Sequence, residues 1–304
     1  MVVLSQTHCV ILLLLLLTSC QPRQSTVVVY ASQDQVYAEP ILQRFEKQTG
    51  IRVLAVYDSE AVKTVGLVNR LIAEQNNPRC DVFWNNEEFR TRQLEAQNLL
   101  RETNAWSALG HRSRRIVIRT NILNTPKSLV ELTNAIWKGK VAMAYPLFGT
   151  TATHFFALRQ AWGAEPWEQW CRALRANAPL LVDGNSVVVQ MVSRGEAVVG
   201  LTDSDDIAAG QQQGMPIKSL PLGADALSIA NTIGVIRHAP HASEAQRLFE
   251  FLQTPEVLRE LTKAGALEGK DLQPSTPATL TVNWTTLLRD VQPATETLKT
   301  IFLQ

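Results

Sequence analysis

Cysteine, histidine and one-sided charge are all scarce in this chain, and each scarcity excludes a class of function. Four cysteines among 304 residues show neither framework nor zinc-ligand spacing. The two in the body of the chain, Cys80 and Cys171, read either as buried thiols or as a single pair. The histidines beyond the first residues, His111, His154, His238 and His241, stand near no recognisable nucleophile. No P-loop, G-x-S-x-G, H-E-x-x-H or dinucleotide glycine fingerprint occurs, so the common catalytic templates are missing. Lysine plus arginine number 29 against 28 acidic residues, a net charge of +1. That balance gives no reason to expect nucleic acid as a partner. No internal repeat or low-complexity tract is present. The one long apolar run, residues 10–17 (VILLLLLL), is shorter than the roughly 20 residues that span a bilayer.

That run is an export signal. Leu17-Thr18-Ser19 precede Cys20, small residues before a cysteine that resemble the lipobox of bacterial lipoproteins. Residues 1–19 contain no lysine or arginine, so either the α-amino group supplies the usual positive charge or translation starts elsewhere. The expected organisation is a signal peptide over 1–19 and lipidation of Cys20 as the surface anchor. Residues 20–26 then form a polar linker.

The remaining length suits two α/β lobes better than one core. Short apolar runs without alternation, the mark of strands covered on both faces, alternate with amphipathic helices. Residues 27–30, 51–57, 81–84, 141–144, 180–182 and 198–201 are such runs. The expected fold class is therefore α/β with two lobes, each a mostly parallel sheet flanked by helices, joined by crossing segments. A strand over 115–119 would leave the first lobe and cross at 121–127, and strands at 217–220 and 229–236 would return. Lobe 1 is then 27–121 plus 224–304, and lobe 2 is 122–223. Ser128 and Glu131 form a capping-box pattern before a helix ending at Trp137. The tail from 284 to 302 is expected to be helical and to pack on lobe 1.

Ligands of open α/β sheets bind beyond the carboxyl ends of strands, and those ends here are polar. They carry Ser32 and Asp34; Asp58, Ser59 and Glu60; Asn86 and Glu87; Tyr145; Asp183 and Ser186; and Thr202, Asp203, Ser204 and Asp205. Asn231 lies on a returning strand. Thr150 and Thr151 open a helix whose free amides make either an anion seat or a simple cap. So many carboxylates in one cleft would repel each other, so a cation, a protein base or a polyhydroxy ligand is expected among them. Carboxylate oxygens suit hard cations, with Asp34, Glu60, Glu87, Asp203 and Asp205 as the candidate metal ligands. Asp203-Ser204-Asp205 also has the D-x-D form of metal-dependent glycosyltransferases, the remote enzymatic alternative.

Over nearly the whole mature chain, VVVYASQDQVYAEPILQRFEKQTGIRV, DSEAVKTVGLVNRLIAEQ, DVFWNNE, WKGKVAMAYPLFGTTATH and NTIGVIRHAPH resemble the iron(III)-type solute-binding proteins of ABC importers. The resemblance implies a non-enzymatic two-lobed protein of the periplasmic binding protein fold. It would be monomeric and held by its lipid in the periplasm or on the outer face of the cell membrane, where it passes ligand to an ABC permease and its ATPase. No obligatory cofactor is implied; iron(III) or an iron chelate would be the cargo. Glu87 matches the family's glutamate. Ser204 and Asp205 stand at its tyrosine pair, and Gln33 and Asp34 stand where it has histidine. Because phenolates supply much of the family's ferric ligation, these departures keep a second cargo open. That cargo is a sugar phosphate or phosphonate held through Thr150, Thr151 and Ser59.

Overall fold

A computed structural model describes residues 24–57, 63–268 and 280–303. The expected export signal, Cys20, Asp58, Ser59 and Glu60 lie outside the described residues.

The chain starts as a series of crossover units: β1 (Thr26–Ala31), α1 (Gln35–Thr49), β2 (Arg52–Tyr57), α2 (Lys63–Ala73), β3 (Val82–Asn85) and α3 (Glu88–Ala96). In α1 the buried positions Ala38, Ile41, Leu42 and Phe45 fall at helical spacing, and Gly50 ends the helix with φ of 72°. That left-handed conformation is one that glycine adopts without a Cβ penalty. A second series, β5 (Val141–Ala144), α4 (Gly149–Trp162), α5 (Ala164–Ala176), β6 (Leu180–Val182), α6 (Asn185–Arg194), β7 (Val199–Asp203) and α7 (Ser204–Gln212), builds the other half.

Strands β2, β1 and β3 are mutually parallel, as are β6, β5 and β7. Between these trios lie two long antiparallel strands, β4 (Trp106–Arg119) and β9 (Ser228–Val235). The order is β2-β1-β3-β9-β4-β7-β5-β6, with β8 (Ile217–Leu220) on β4. Strand β4 changes partners midway. It pairs with β9 from Trp106 to Ser113, then with β7 from Arg114, opposite Asp203, to Ile118. The change of partner falls between Ser113 and Arg114, inside a strand of 14 residues; the crossing expected at 121–127 lies beyond the end of that strand. In the run HRSRR, Arg112 and Arg114 are buried and Arg115 is half-buried.

Each lobe has apolar clusters on both sheet faces. Val27, Val29, Phe45, Trp84, Leu248 and Val257 share one face of lobe 1, and Tyr30, Leu67, Phe83 and Leu94 share the other. Lobe 2 packs Phe155, Trp167, Trp170 and Leu174 on one side, and Val117, Val188 and Val192 on the other. Trp162 packs against the Phe155 cluster from its edge. Cys80 and Cys171 are buried free thiols in different clusters.

Two elements depart from expectation. Residues 130–133 and 135–137 form two 3₁₀ turns, because Asn134 between them is extended with ψ of 142°. The capping groups still act locally: Glu131 N donates to Ser128 Oγ, and Lys127 N to Glu131 Oε2. The carboxy-terminal helix α10 (Trp284–Phe302) packs Leu298, Ile301 and Phe302 into the lobe 2 core, with Phe302 edge-on to Phe155 at 6.1 Å. It also meets lobe 1, the side expected for it, where Arg92 of α3 lies over the Trp284 ring at 5.2 Å. Helices α8 (Ala242–Leu252) and α9 (Pro255–Lys263) complete lobe 1. Among the described residues, no helix is long and apolar enough to cross a membrane.

Candidate functional site

The carboxyl ends of β1 and β3 face those of β7 and the helix starts of α4 and α6 across the β4–β9 pair. On the lobe 1 side, buried Ser32 donates to Asn85 Oδ1 at 2.7 Å and accepts from Asn86 N at 3.1 Å. Trp84 Nε1 donates to Asn231 Oδ1 at 2.9 Å, and Asn231 Nδ2 donates to Gln33 Oε1. The chain of bonds stops there, since Gln33 Nε2 is buried without a partner.

On the lobe 2 side Asp203 is wholly buried and fully engaged. It accepts from Arg114 Nη1 at 2.6 Å, Thr150 Oγ1 at 2.5 Å and Asn185 Nδ2 at 3.0 Å, with Arg112 Nη2 at 3.6 Å. Burial pushes its pKa up, but the two guanidinium groups outweigh burial and hold it below the usual carboxylate range. Asp205 pairs through Oδ2 with Arg112 Nη1, while its Oδ1 is buried without a partner. Here burial exceeds what Arg112 returns, and its pKa lies above the usual range.

Glu87 joins the two sides. It follows β3, yet its Oε2 accepts from Thr153 Oγ1 on α4, and its Oε1 has no hydrogen-bond partner, with Arg90 Nε at 3.8 Å. Burial raises its pKa over the opposing pull of Arg90 and Thr153. Arg112 Nη2 also reaches Asn86 O at 3.1 Å, and Phe89 on α3 meets Phe156 on α4 edge to face at 5.8 Å. These contacts join the two halves across the β4–β9 pair.

Of the residues anticipated from sequence, Ser32, Asn86, Glu87, Thr150, Thr151, Thr202, Asp203, Asp205 and Asn231 are all buried here. Several have internal work. Thr151 Oγ1 lies 3.4 Å from Asn185 Oδ1, and Thr202 Oγ1 donates to Asn185 O at 3.1 Å. Ser204 Oγ accepts from Ser113 N at 3.1 Å, which places it on the crossing strand. Asp34 is half-buried at the start of α1, and Tyr145 and Ser186 are half-buried in lobe 2. Asp183 is exposed. Asp203, at the N-cap of α7, makes no side-chain capping bond.

Sequence reasoning missed Arg112, Arg114, Thr153 and Asn185. The arginines answer the expectation that a base would sit among the carboxylates, and their signal was period-two alternation. Arg112 and Arg114 face the cleft, whereas His111, Ser113 and Arg115 share the opposite face of β4. Asp203, Asp205 and Asp206 bring carboxylate oxygens within 4.8 Å of one another, the spacing of a cation site. Asp203 and Asp205 are ion-paired with arginines.

Two α/β lobes joined over a buried polar cleft, with acceptors and donors left unmatched inside it, define a ligand-capturing protein. More particularly, the chain belongs to the bacterial extracellular solute-binding proteins, whose family model matches residues 26–267. It is 24% identical over 278 residues to the major ferric iron-binding protein of Neisseria meningitidis, covering 82% of each chain. Iron-bound HitA from Pseudomonas aeruginosa has a similar fold, with a TM-score of 0.78 and 19% identity over 91% of this chain and 99% of that one. So does AfuA from Actinobacillus pleuropneumoniae with fructose-6-phosphate bound, with a TM-score of 0.77 and 17% identity over 92% and 99%.

Proposed function

We propose that this protein captures an iron(III) chelate between its two lobes and delivers it to the permease and ATPase of an ABC-type importer. The observation that carries the reading is the set of unmatched groups in the cleft. Glu87 Oε1 and Asp205 Oδ1 are bare acceptors, while Gln33 Nε2, Arg112 Nε and Arg114 Nε are bare donors. Hard ferric iron needs about six oxygen donors, several of them anionic. Asp203 is saturated and half of Asp205 is taken, so the cleft offers too few oxygens for a naked ion. A chelate brings the rest itself, and its outer carboxylates suit the arginine N–H groups. The similarity to ferric iron-binding proteins supports the same cargo.

The second reading, a sugar phosphate or phosphonate, draws on the buried arginines and on the likeness to the fructose-6-phosphate-bound protein. Its expected seat is weakened, because the Thr150 hydroxyl is spent on Asp203. Of the residues anticipated from sequence, Ser32, Asn86, Glu87, Thr150, Thr151, Asp203, Asp205 and Asn231 form the site of this proposal, with Arg112 and Arg114 added. In the same reading Cys20 carries the lipid, the mature protein works in the periplasm or on the outer face of the cell membrane, and the lobes rotate about β4 and β9.

Titration calorimetry and native mass spectrometry with ferric citrate and with a hexose phosphate test the cargo. Ferric citrate should bind with the mass of an intact complex. Binding of the hexose phosphate alone would replace this reading with the second.

A further inference from the structure

A set of donors suited to a small oxyanion stands assembled in lobe 2, and one of the chain's own side chains sits in it. Three helices begin around the Asp203 carboxylate. Helix α4 reaches it through Thr150, α6 reaches it through Asn185, and α7 starts at the residue that follows it. None of the three has a side-chain capping bond at its start, so each brings the positive end of its dipole to the same place. Arg114 adds a full charge from the position opposite Asp203 in the β4–β7 register, and Arg112 adds a second at 3.6 Å. The helix start at Thr150, expected to be either an anion seat or a cap, does hold an anion. That anion is Asp203.

The seat offers more donors than its occupant has oxygens to meet. Oδ1 of Asp203 accepts from Arg114 Nη1, and Oδ2 accepts from Thr150 and Asn185. Arg114 is wholly buried, yet its Nε and Nη2 have no hydrogen-bond partner, an arrangement that native interiors rarely leave. A carboxylate brings two oxygens, whereas phosphate brings four. Charge, by contrast, is balanced only with Asp203 in place, since Arg112 and Arg114 stand against Asp203 and Asp205. The same guanidinium groups hold the Asp203 carboxyl below the usual range despite its burial, so the occupant keeps its charge.

We propose that Asp203 is a specificity-determining residue, a built-in anion that fills an oxyanion seat made by Thr150, Asn185, Arg112 and Arg114 and so bars inorganic phosphate and phosphate monoesters from it. Because the occupant belongs to the chain, its binding is intramolecular, and free anions compete against a high effective concentration. A phosphorylated compound entering the cleft meets the arginines already neutralised and the Thr150 hydroxyl already donated. The inference rests on the cargo reading above, which it deepens by naming what the cleft refuses, but its test needs no iron.

Asp203→Ala empties the seat and keeps every donor, while Asp203→Asn fills it with a neutral amide of the same shape. Melting temperatures are read in sodium phosphate and in sodium chloride at equal ionic strength, with wild type setting the general effect of the salt, and calorimetry then measures phosphate binding. Asp203→Ala should gain far more from phosphate than wild type does and should bind it at least about tenfold more tightly, the worth of one charge-assisted hydrogen bond. A hexose phosphate should follow inorganic phosphate. Adding Thr150→Val should remove most of the gain, and Asp203→Asn should respond as wild type does. Emptying the seat leaves two buried guanidinium groups short of an anion, so if Asp203→Ala is unfolded in chloride, folding in phosphate is the expected rescue. The proposal is overturned if Asp203→Ala melts alike in both salts or stays unfolded in both. It is equally overturned if Asp203→Asn gains phosphate as Asp203→Ala does, or if the gain survives Thr150→Val. Wild type that fails to bind ferric citrate would remove the cargo reading alone and leave the phosphate comparison standing.

Discussion

The Thr153–Glu87 bond offers the sharpest test of the cleft, because it connects a helix of lobe 2 to a strand end of lobe 1. Thr153→Val keeps the side chain's shape and removes the hydroxyl. Glu87 Oε1 already lacks a hydrogen bond and Oε2 has only Thr153, so the variant leaves a wholly buried carboxylate with no hydrogen bond at all. A bond to a charged group is worth about 1.5–3 kcal/mol, which corresponds to a roughly 10- to 150-fold loss in the closure equilibrium. Opening the lobes breaks the bond in wild type as well. The loss should therefore appear in ligand affinity and hardly at all in the folding stability of either lobe. Calorimetry with ferric citrate should show the dissociation constant raised by that factor, with the melting temperature of the ligand-free protein nearly unchanged. Thr153→Ser, which keeps the donor, should stay within about threefold of wild type by the same reasoning. A Val variant that binds as tightly as wild type would mean that Glu87 is not part of the closed, ligand-holding state.

Three further outcomes follow from buried charge and the amino terminus. His154 is wholly buried, with Nε2 on Asp225 O at 2.7 Å, and burial together with Arg114 lowers its pKa to about 3. The unfolded chain binds that proton first, so stability should fall as pH drops below about 6.5, by about 2 kcal/mol at pH 5. Urea denaturation should show this loss, and His154→Gln should flatten it; an unchanged slope would refute the assignment. Arg114→Met leaves Asp203 buried without its main cation and should cost about 3–5 kcal/mol, while Arg114→Met with Asp203→Asn should recover part of it in the same denaturation assay. Cys20→Ser should move the protein from the membrane fraction to the soluble one; retention after a high-salt wash would rule out the lipid anchor.

Much of the site was legible because a buried parallel strand announces itself as an unbroken apolar run. Ser32, Asn86, Glu87 and the 202–205 turn were found where such runs end. What escaped was set by partners distant in sequence. Nothing local tells that Arg114 lies opposite Asp203, 89 residues away, and an arginine-rich stretch otherwise reads as solvated surface. The 3₁₀ turns at 130–137 escaped because the capping groups are present, and only the extended Asn134 shows that they serve a shorter element. The placement of α10 escaped because an amphipathic stripe states that a core is needed and not which one. Asp203 shows the reverse case: the sequence singles it out, yet its neighbours occupy it so fully that in the proposed site it serves the shape of the cleft more than the cargo.

The Gln33–Asn231–Trp84 chain has an optical consequence. Trp84 is fully buried, and its indole N–H is bonded to an amide whose other end holds Gln33. A ligand oxygen that takes up the bare Gln33 Nε2 would polarise both amides in turn, since linked hydrogen bonds strengthen one another. The electron density of the indole would then shift without any movement of the ring. The protein thus carries its own chromophore at the end of a two-amide relay, and cleft occupancy should be readable as a change in the colour and yield of tryptophan emission, without any label.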